Sequence, residues 1–154
     1  MLPIQTPITG QELKTGRSLP YDALVDFYAA FNKKDMDLMA RNWAQTDDVS
    51  MDNPLGGIKR GWNEIQEVYA NIFNGPADVQ VEFHDYTLHE AGGMFLAVGR
   101  ERGLCHVGGE DILLAIRTSR TYQFVDGRWQ QVHHHGSIDD AALLRTYQAA
   151  VFRK

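Results

Sequence analysis

The sequence predicts an α+β fold: helices first, a strongly curved antiparallel sheet second, and a helix at the end. Three observations carry that reading. Between residues 21 and 73 apolar side chains recur at helical spacing, one stripe per amphipathic helix. After Pro76 the period switches to two and holds through four long runs, the signature of strands. The runs are joined by Gly-rich turns, and the segregation of helices from strands is that of an α+β layout.

Length and composition bound the rest. A chain of 154 residues is about one domain. Its 44% hydrophobic and 23% charged residues are ordinary for a soluble globular protein. No apolar run approaches the ~18 residues of a membrane span. "MLPIQTPITG" lacks the basic and apolar regions of a secretory signal. Cys105 stands alone, so no intrachain disulfide is expected and a reducing compartment fits. A net charge of −5 argues against a nucleic-acid surface. The expectation is a cytoplasmic protein with neither nucleic acid nor membrane as partner.

Residues 1–18 carry Pro3, Pro7, Gly10 and Gly16 without a period and read as an N-terminal arm. Leu24, Phe27, Tyr28 and Phe31 mark the stripe of a first helix, and Asp35 caps a second bearing Met36, Met39 and Trp43. "VSMDN" (49–53) reads as a short strand ended by Pro54. A third helix is predicted from about Trp62 to Phe73, stopped by Gly75 and Pro76. The period-two runs are 78–90, 94–102, 112–125 and 128–137. Cys105 falls in a Gly-rich connection between two of them. Residues 139–154 read as a C-terminal helix, with Leu143, Tyr147 and Val151 one turn apart.

Three stretches carry a resemblance: "LVDFYAAFNKKDMDLMARNWAQTDDVSMDNPLG", "RGWNEIQEVYANIF" and "RTSRTYQFVDGRWQQVHHHGS". They resemble the nuclear-transport-factor-2-like superfamily, which includes ketosteroid-isomerase-like enzymes, and within it the SnoaL-like group. The last stretch is most similar to the end of the association domain of calcium/calmodulin-dependent kinase II, with its D-G-x-W and V-H-x-H-x-S spacing. The likeness spans roughly residues 20–138, inside a domain set at 19–138. It implies a cone-shaped, cystatin-like α+β roll, with a curved sheet wrapped around helices. It also implies a pocket inside the cone and a homodimer formed through the outer sheet face. In the kinase domain, positions matching Arg100, Arg120 and Gly136 are all arginine and line a common pocket. Gly136 breaks that cluster here.

His133, His134 and His135 cannot converge on one metal, because alternate side chains of a strand face opposite ways. Asp126-Gly127 suits either a two-residue or a three-residue hairpin turn. The three-residue form puts Arg120, Tyr122, Phe124, Val132 and His134 on one face, a plausible inner wall, and agrees with the kinase-domain register. His133 and His135 then lie outside with Trp129, Gln131 and Ser137, packing in a dimer interface. No third ligand offers itself by spacing, so no metal is expected.

Arg100 and Arg120 interrupt apolar strand faces and suit a carboxylate or phosphate, unless each is absorbed by an internal ion pair with Glu101, Glu110 or Asp52. Asp52 is a candidate general base or an arginine partner. His134 is the one inward group that titrates near neutrality unaided, a candidate acid/base or a satisfied core histidine. Tyr28, Trp62 and Tyr122 are candidate pocket wall. "GGIKRG" and "HVGGED" lack phosphate-loop spacings, and no G-x-S-x-G elbow is present. The leading expectation is a pocket for a small anionic or carbonyl-bearing molecule, without cofactor. If catalytic, it would be an acid/base isomerase, dehydratase or cyclase. His134 or Asp52 would move the proton, with Arg100 and Arg120 stabilising charge. The alternative is a non-catalytic association module with a vestigial pocket.

Overall fold

The computed structural model describes residues 1–153. Its elements run α1 (Pro20–Lys33), α2 (Met36–Asn42), β1 (Ser50–Asp52), β2 (Lys59–Arg60), α3 (Gly61–Asn74), β3 (Asp78–Ala91), β4 (Met94–Val107), β5 (Glu110–Val125), β6 (Arg128–Ser137) and α4 (Ala141–Val151). One six-stranded sheet holds them in the order β2-β1-β6-β5-β4-β3. All neighbours are antiparallel except β1 and β6, which run parallel. This is a mixed α+β fold whose curled sheet encloses the helices. Lys154, the last position of the predicted 139–154 helix, lies outside the described residues.

Helix α1 starts at Pro20, where the missing N–H would have had no partner, and Asp22 reaches back to the Leu19 N–H. It ends at Lys34 in a left-handed cap. Its stripe of Leu24, Phe27, Tyr28 and Phe31 is buried. Phe27 and Phe31 meet Tyr69 of α3 edge-on at 6.3 and 6.4 Å. Burying each such side chain is worth about 1.5–3 kcal/mol, so this contact is what holds the helices inside the curl.

The sheet's concave face is set by small and aromatic residues. On β4 the buried positions are Phe95, Ala97, Glu101, Cys105 and Val107, while Met94, Leu96, Val98, Arg100 and Leu104 point outward. Strand β4 runs on to Val107, past the predicted end at 102, because Gly103 lets the backbone of β3 approach. A Cβ there would collide with the Gln80 carbonyl. Cys105 therefore lies inside a strand and is fully buried, not in a connection. The β3–β4 register shifts between His84 and Thr87, where Asp85 takes φ 50°, and this bulge bends the strand.

The arm is docked. Ile4 pairs with Tyr86 and Ile8 with Phe83 along the free edge of β3, and Ile8 is fully buried. Between α1 and that edge, the Asn32 side chain accepts from the Val81 N–H at 2.9 Å and donates to the Val81 carbonyl at 2.8 Å. An amide side chain here completes a strand's pairing, which blunts an edge that would otherwise recruit another chain.

The last hairpin differs from the expected one. Val125 pairs with Arg128, and Asp126 and Gly127 both have positive φ, 52° and 78°. That is a two-residue turn of the I′ kind. The register then slips by one residue, because Tyr122 pairs with Gln131 but Thr121 with His133, leaving Val132 as a bulge. Arg120 ends opposite His134 by turn plus bulge, not by a three-residue turn.

Candidate functional site

Inside the cone, Arg120 is the organising group. It is 2% exposed, and its guanidinium lies 3.4 Å over the Phe27 ring. Its Nη2 donates to Glu101 Oε1 at 2.7 Å, Nη1 to Gln131 Oε1 at 2.8 Å and Nε to the Tyr28 hydroxyl at 3.4 Å. The Tyr28 hydroxyl donates to the same Glu101 oxygen at 2.9 Å. Beyond Gln131, Asn42 Oδ1 accepts from Gln131 Nε2 at 3.3 Å and from the Tyr122 hydroxyl at 2.9 Å, and Asn42 Nδ2 donates to the Ala23 carbonyl. The network joins α1, α2, β4, β5 and β6. A buried charge is tolerable only when paired in this way.

His134 stands beside it, 5% exposed, with Nδ1 3.2 Å from the Ser119 carbonyl. That contact makes Nδ1 the protonated nitrogen and leaves Nε2 as an acceptor. Burial holds this imidazole's pKa well below the usual value, and the Arg120 charge adds to the effect. Burial likewise pushes the Tyr69 hydroxyl up to about 12.

These groups border a cavity of about 40 Å³, lined among others by Glu101, Arg120, His134, Tyr69, Ile116 and Tyr147. The Tyr69 hydroxyl is buried and makes no hydrogen bond of good geometry among the described residues, with Trp43 Nε1, likewise unsatisfied, and the Arg120 guanidinium as its polar neighbours. Since buried polar atoms are nearly always paired, this one marks the cavity's polar side. The volume suits a few waters, whereas organic ligands occupy roughly 300 Å³ or more.

The predicted site residues divide between two faces. Arg120 and His134 face the interior together. Tyr28 and Tyr122 are spent on the network, Tyr122 also stacking on Phe95 at 4.6 Å. Trp62 packs 6.5 Å from Trp43 at the start of α3, in the core and not in the cavity lining. Arg100 does not join Arg120. It lies on the convex face, half exposed, 3.3 Å from Asp85. The apolar row Met94, Leu96 and Val98 that leads to it is the outer wall of the sheet, since small residues go where helices must pack.

Asp52 is also on the convex face, and shares no site with His134. Its Oδ2 lies 2.7 Å from His135 Nδ1 and its Oδ1 3.6 Å from His133 Nε2, while His133 Nδ1 lies 2.9 Å from Ser50 Oγ. Among the described residues no group of three or more His, Cys, Asp or Glu side chains is arranged to hold a metal. Gln131 and Trp129, expected outside with His133 and His135, are not there. Gln131 is buried in the network, and Trp129 packs on Phe95 at 4.9 Å and donates to the Ser18 carbonyl. The Val132 bulge accounts for Gln131.

Gln131, which accepts from Arg120, was not among the predicted site residues, and Glu101 was expected only as one of three possible ion-pair partners; it is the one that neutralises Arg120. The parity of β4 could have found Glu101: it shares a face with Ala97, Gly99 and Gly103, residues small enough to admit helices. Phe124, expected on the inner wall, is largely exposed at the hairpin tip against Trp129.

Comparison with known proteins agrees with the geometry. The family model described as SnoaL-like domain matches residues 21–141. The F-box protein SKIP8 of Arabidopsis thaliana is 25% identical over 144 residues, covering 90% of this chain and 59% of that protein. The chain thus spans about three-fifths of the length of this curated relative. A solved structure described as a calcium/calmodulin-dependent protein kinase type II association domain, from Thiobacillus denitrificans, aligns with a TM-score of 0.65 at 25% identity, covering 79% of this chain and 95% of its own. A structure described as a dehydratase of the NTF2-like family, from Streptomyces avermitilis, aligns with a TM-score of 0.71 at 22% identity over 77% and 92%. Among the described residues no helix is long and apolar enough to cross a membrane. The curled sheet, the helices it encloses and the matched span make this chain a member of the SnoaL-like domain family, within the nuclear-transport-factor-2-like fold.

Proposed function

We propose that this domain is a self-association module in which the convex sheet face of one copy meets that of another. The carrying observation is the face itself. Met94, Leu96 and Val98 stand on its solvent side, and Leu104 and Leu113 beyond Arg100 and Arg102, Leu113 75% exposed, on strand faces that no helix among the described residues covers. A soluble protein rarely leaves such a patch bare unless a partner takes it. Arg100 and Arg102 lie on the same face between Val98 and Leu104, with Arg117 beside Arg100 and with Asp85 and Glu82 facing them from β3, so a two-fold axis can set unlike charges against each other. The association domain among the structural relatives supports the same reading. The single cysteine, fully buried, suits a reducing, cytoplasmic setting.

Sedimentation velocity of the full chain tests this. A dimer or larger closed oligomer at micromolar concentration is expected, and Leu96→Lys should convert it to a folded monomer. A wild-type chain that stays monomeric at tens of micromolar rejects the proposal.

A second reading, a small-molecule site inside the cone, is favoured by one observation: the Tyr69 hydroxyl, without a hydrogen bond of good geometry among the described residues, in a cavity shared with Arg120 and His134. Glu101 neutralises Arg120, so this site fits a neutral carbonyl compound better than an anion. Any proton transfer falls to His134 Nε2, with Tyr69 donating to the developing oxyanion. Arg100 and Asp52 have no part in it. Thermal-shift screening of small ketones tests the reading. A hit should vanish in Tyr69→Phe, and a hit that persists there removes Tyr69 from the site.

A further inference from the structure

The family match ends at residue 141, where α4 begins. The helix therefore lies almost wholly beyond the matched span, and it shuts the cone. Asp140 caps α4 by accepting from the Ala142 and Leu143 N–H groups. The helix then lays Tyr147, Ala150 and Val151 against the sheet and leaves the rest of its surface wet or half-wet. Tyr147 is the side chain that reaches inward. It lines the cavity with Glu101, Arg120 and His134, and its helix packs on β4, the strand that carries Cys105.

The attachment is slight. Three buried side chains hold a helix of 11 residues, and among the described residues its body is tied to the rest of the fold by two long hydrogen bonds of 3.3 Å, from Gln148 Nε2 to the Pro54 and Leu55 carbonyls. By contrast α1 has ten buried residues in 14. Elements with few buried apolar contacts open at free energies well below that of global unfolding.

We propose that α4 is a displaceable closure of the cone: it undocks as a unit while the sheet and α1–α3 stay folded, and so uncovers the chamber bounded by Glu101, Arg120, His134 and Tyr69. Opening withdraws the Tyr147 ring, which enlarges a cavity otherwise fit for water into one that a small planar molecule can enter. The use of that opening by a ligand rests on the interior-site reading above. The opening itself does not, nor does it depend on the oligomeric state.

The chain carries its own reporter. Cys105 is the sole cysteine and is fully buried, and burial raises its thiol pKa, so it reacts only when uncovered. The experiment is labelling of Cys105 in the full-length folded chain by a thiol reagent, followed by intact mass across low denaturant concentrations. Local undocking exposes little surface, so the labelling rate should be nearly flat in denaturant. It should also exceed by at least tenfold the rate extrapolated from global unfolding. Val151→Ala, which weakens only the α4 contact, should raise that flat rate about tenfold. Ile65→Val in α3 should lower global stability and leave the flat rate unchanged. A labelling rate that tracks global unfolding down to zero denaturant overturns the proposal. So does an equal response to Val151→Ala and Ile65→Val. Failure of the ketone screen with a flat labelling rate would reject the ligand while keeping the closure.

Discussion

Arg120 and Glu101 hold each other in place, and neither is tolerable alone. Removing one partner of a buried pair strands a charge and costs about 3–5 kcal/mol, whereas replacing both by apolar residues of similar volume is often close to neutral. Glu101→Leu should therefore lower unfolding stability in urea by about that amount. The double variant Glu101→Leu/Arg120→Met should recover most of the loss, a coupling read directly from a double-mutant cycle. His134 makes a pH prediction. Burial, and then the Arg120 charge, depress its pKa in the folded state. Below about pH 6.5 the unfolded chain takes up a proton there and the folded chain does not. The unfolded state then binds more protons, so stability is full above that pH and falls as acid is added, by at most about 1.4 kcal/mol per pH unit. His134→Gln should remove this slope between about pH 5 and 6.5, measured by urea unfolding of both chains. The sequence made Arg120 and His134 visible as polar interruptions and offered Glu101 as one of three possible partners for an arginine, but could not choose among them. Glu101 lies 19 residues from Arg120 and meets it only because β4 and β5 pair.

At the scale of elements, the helices were legible because their apolar stripes need only local spacing, and so were the four long strands. What escaped was long-range. The parallel contact of β1 with β6 brings Asp52 to the two outer histidines from about 80 residues away, and no local period announces it. The end of β4 escaped as well, because Gly103 reads as a turn residue until the approach of Gln80 is seen. The docking of the arm is a third case, since Ile4 and Ile8 have no period of their own yet finish the β3 edge. That edge supplies a prediction. Asn32 satisfies both backbone groups of Val81, so Asn32→Ala leaves a donor and an acceptor part-buried and unpaired. The cost should be about 1–3 kcal/mol by thermal or chemical unfolding. Light scattering on storage should rise too, because the exposed edge can now pair with another chain.

For the whole molecule, the sheet divides the labour. Its concave side carries the charge network and the helices, and its convex side carries the apolar patch with Asp52, His133 and His135. If copies associate through that patch, association stabilises only the native state, and the melting midpoint should rise with protein concentration. The rise should disappear in Leu96→Lys, while a wild-type midpoint independent of concentration over a hundredfold range counts against the interface. The α+β class was readable from segregation of the two periods, and so was the inward face of β5, but the inward face of β4 was not, since Arg100 points out. On β6 the inward face turns on Val132, a single unpaired residue. Side chains along β6 can drift one at a time during evolution, each touching one environment. Straightening the strand with Val132 kept would instead exchange every later position at once, bringing His133 and His135 inside and turning His134 out to solvent. Deleting Val132 would only close the Tyr122–Gln131 and Thr121–His133 pairs into a regular ladder. The face on which the chemistry of this strand sits thus hangs on one surplus residue looping out of its ladder.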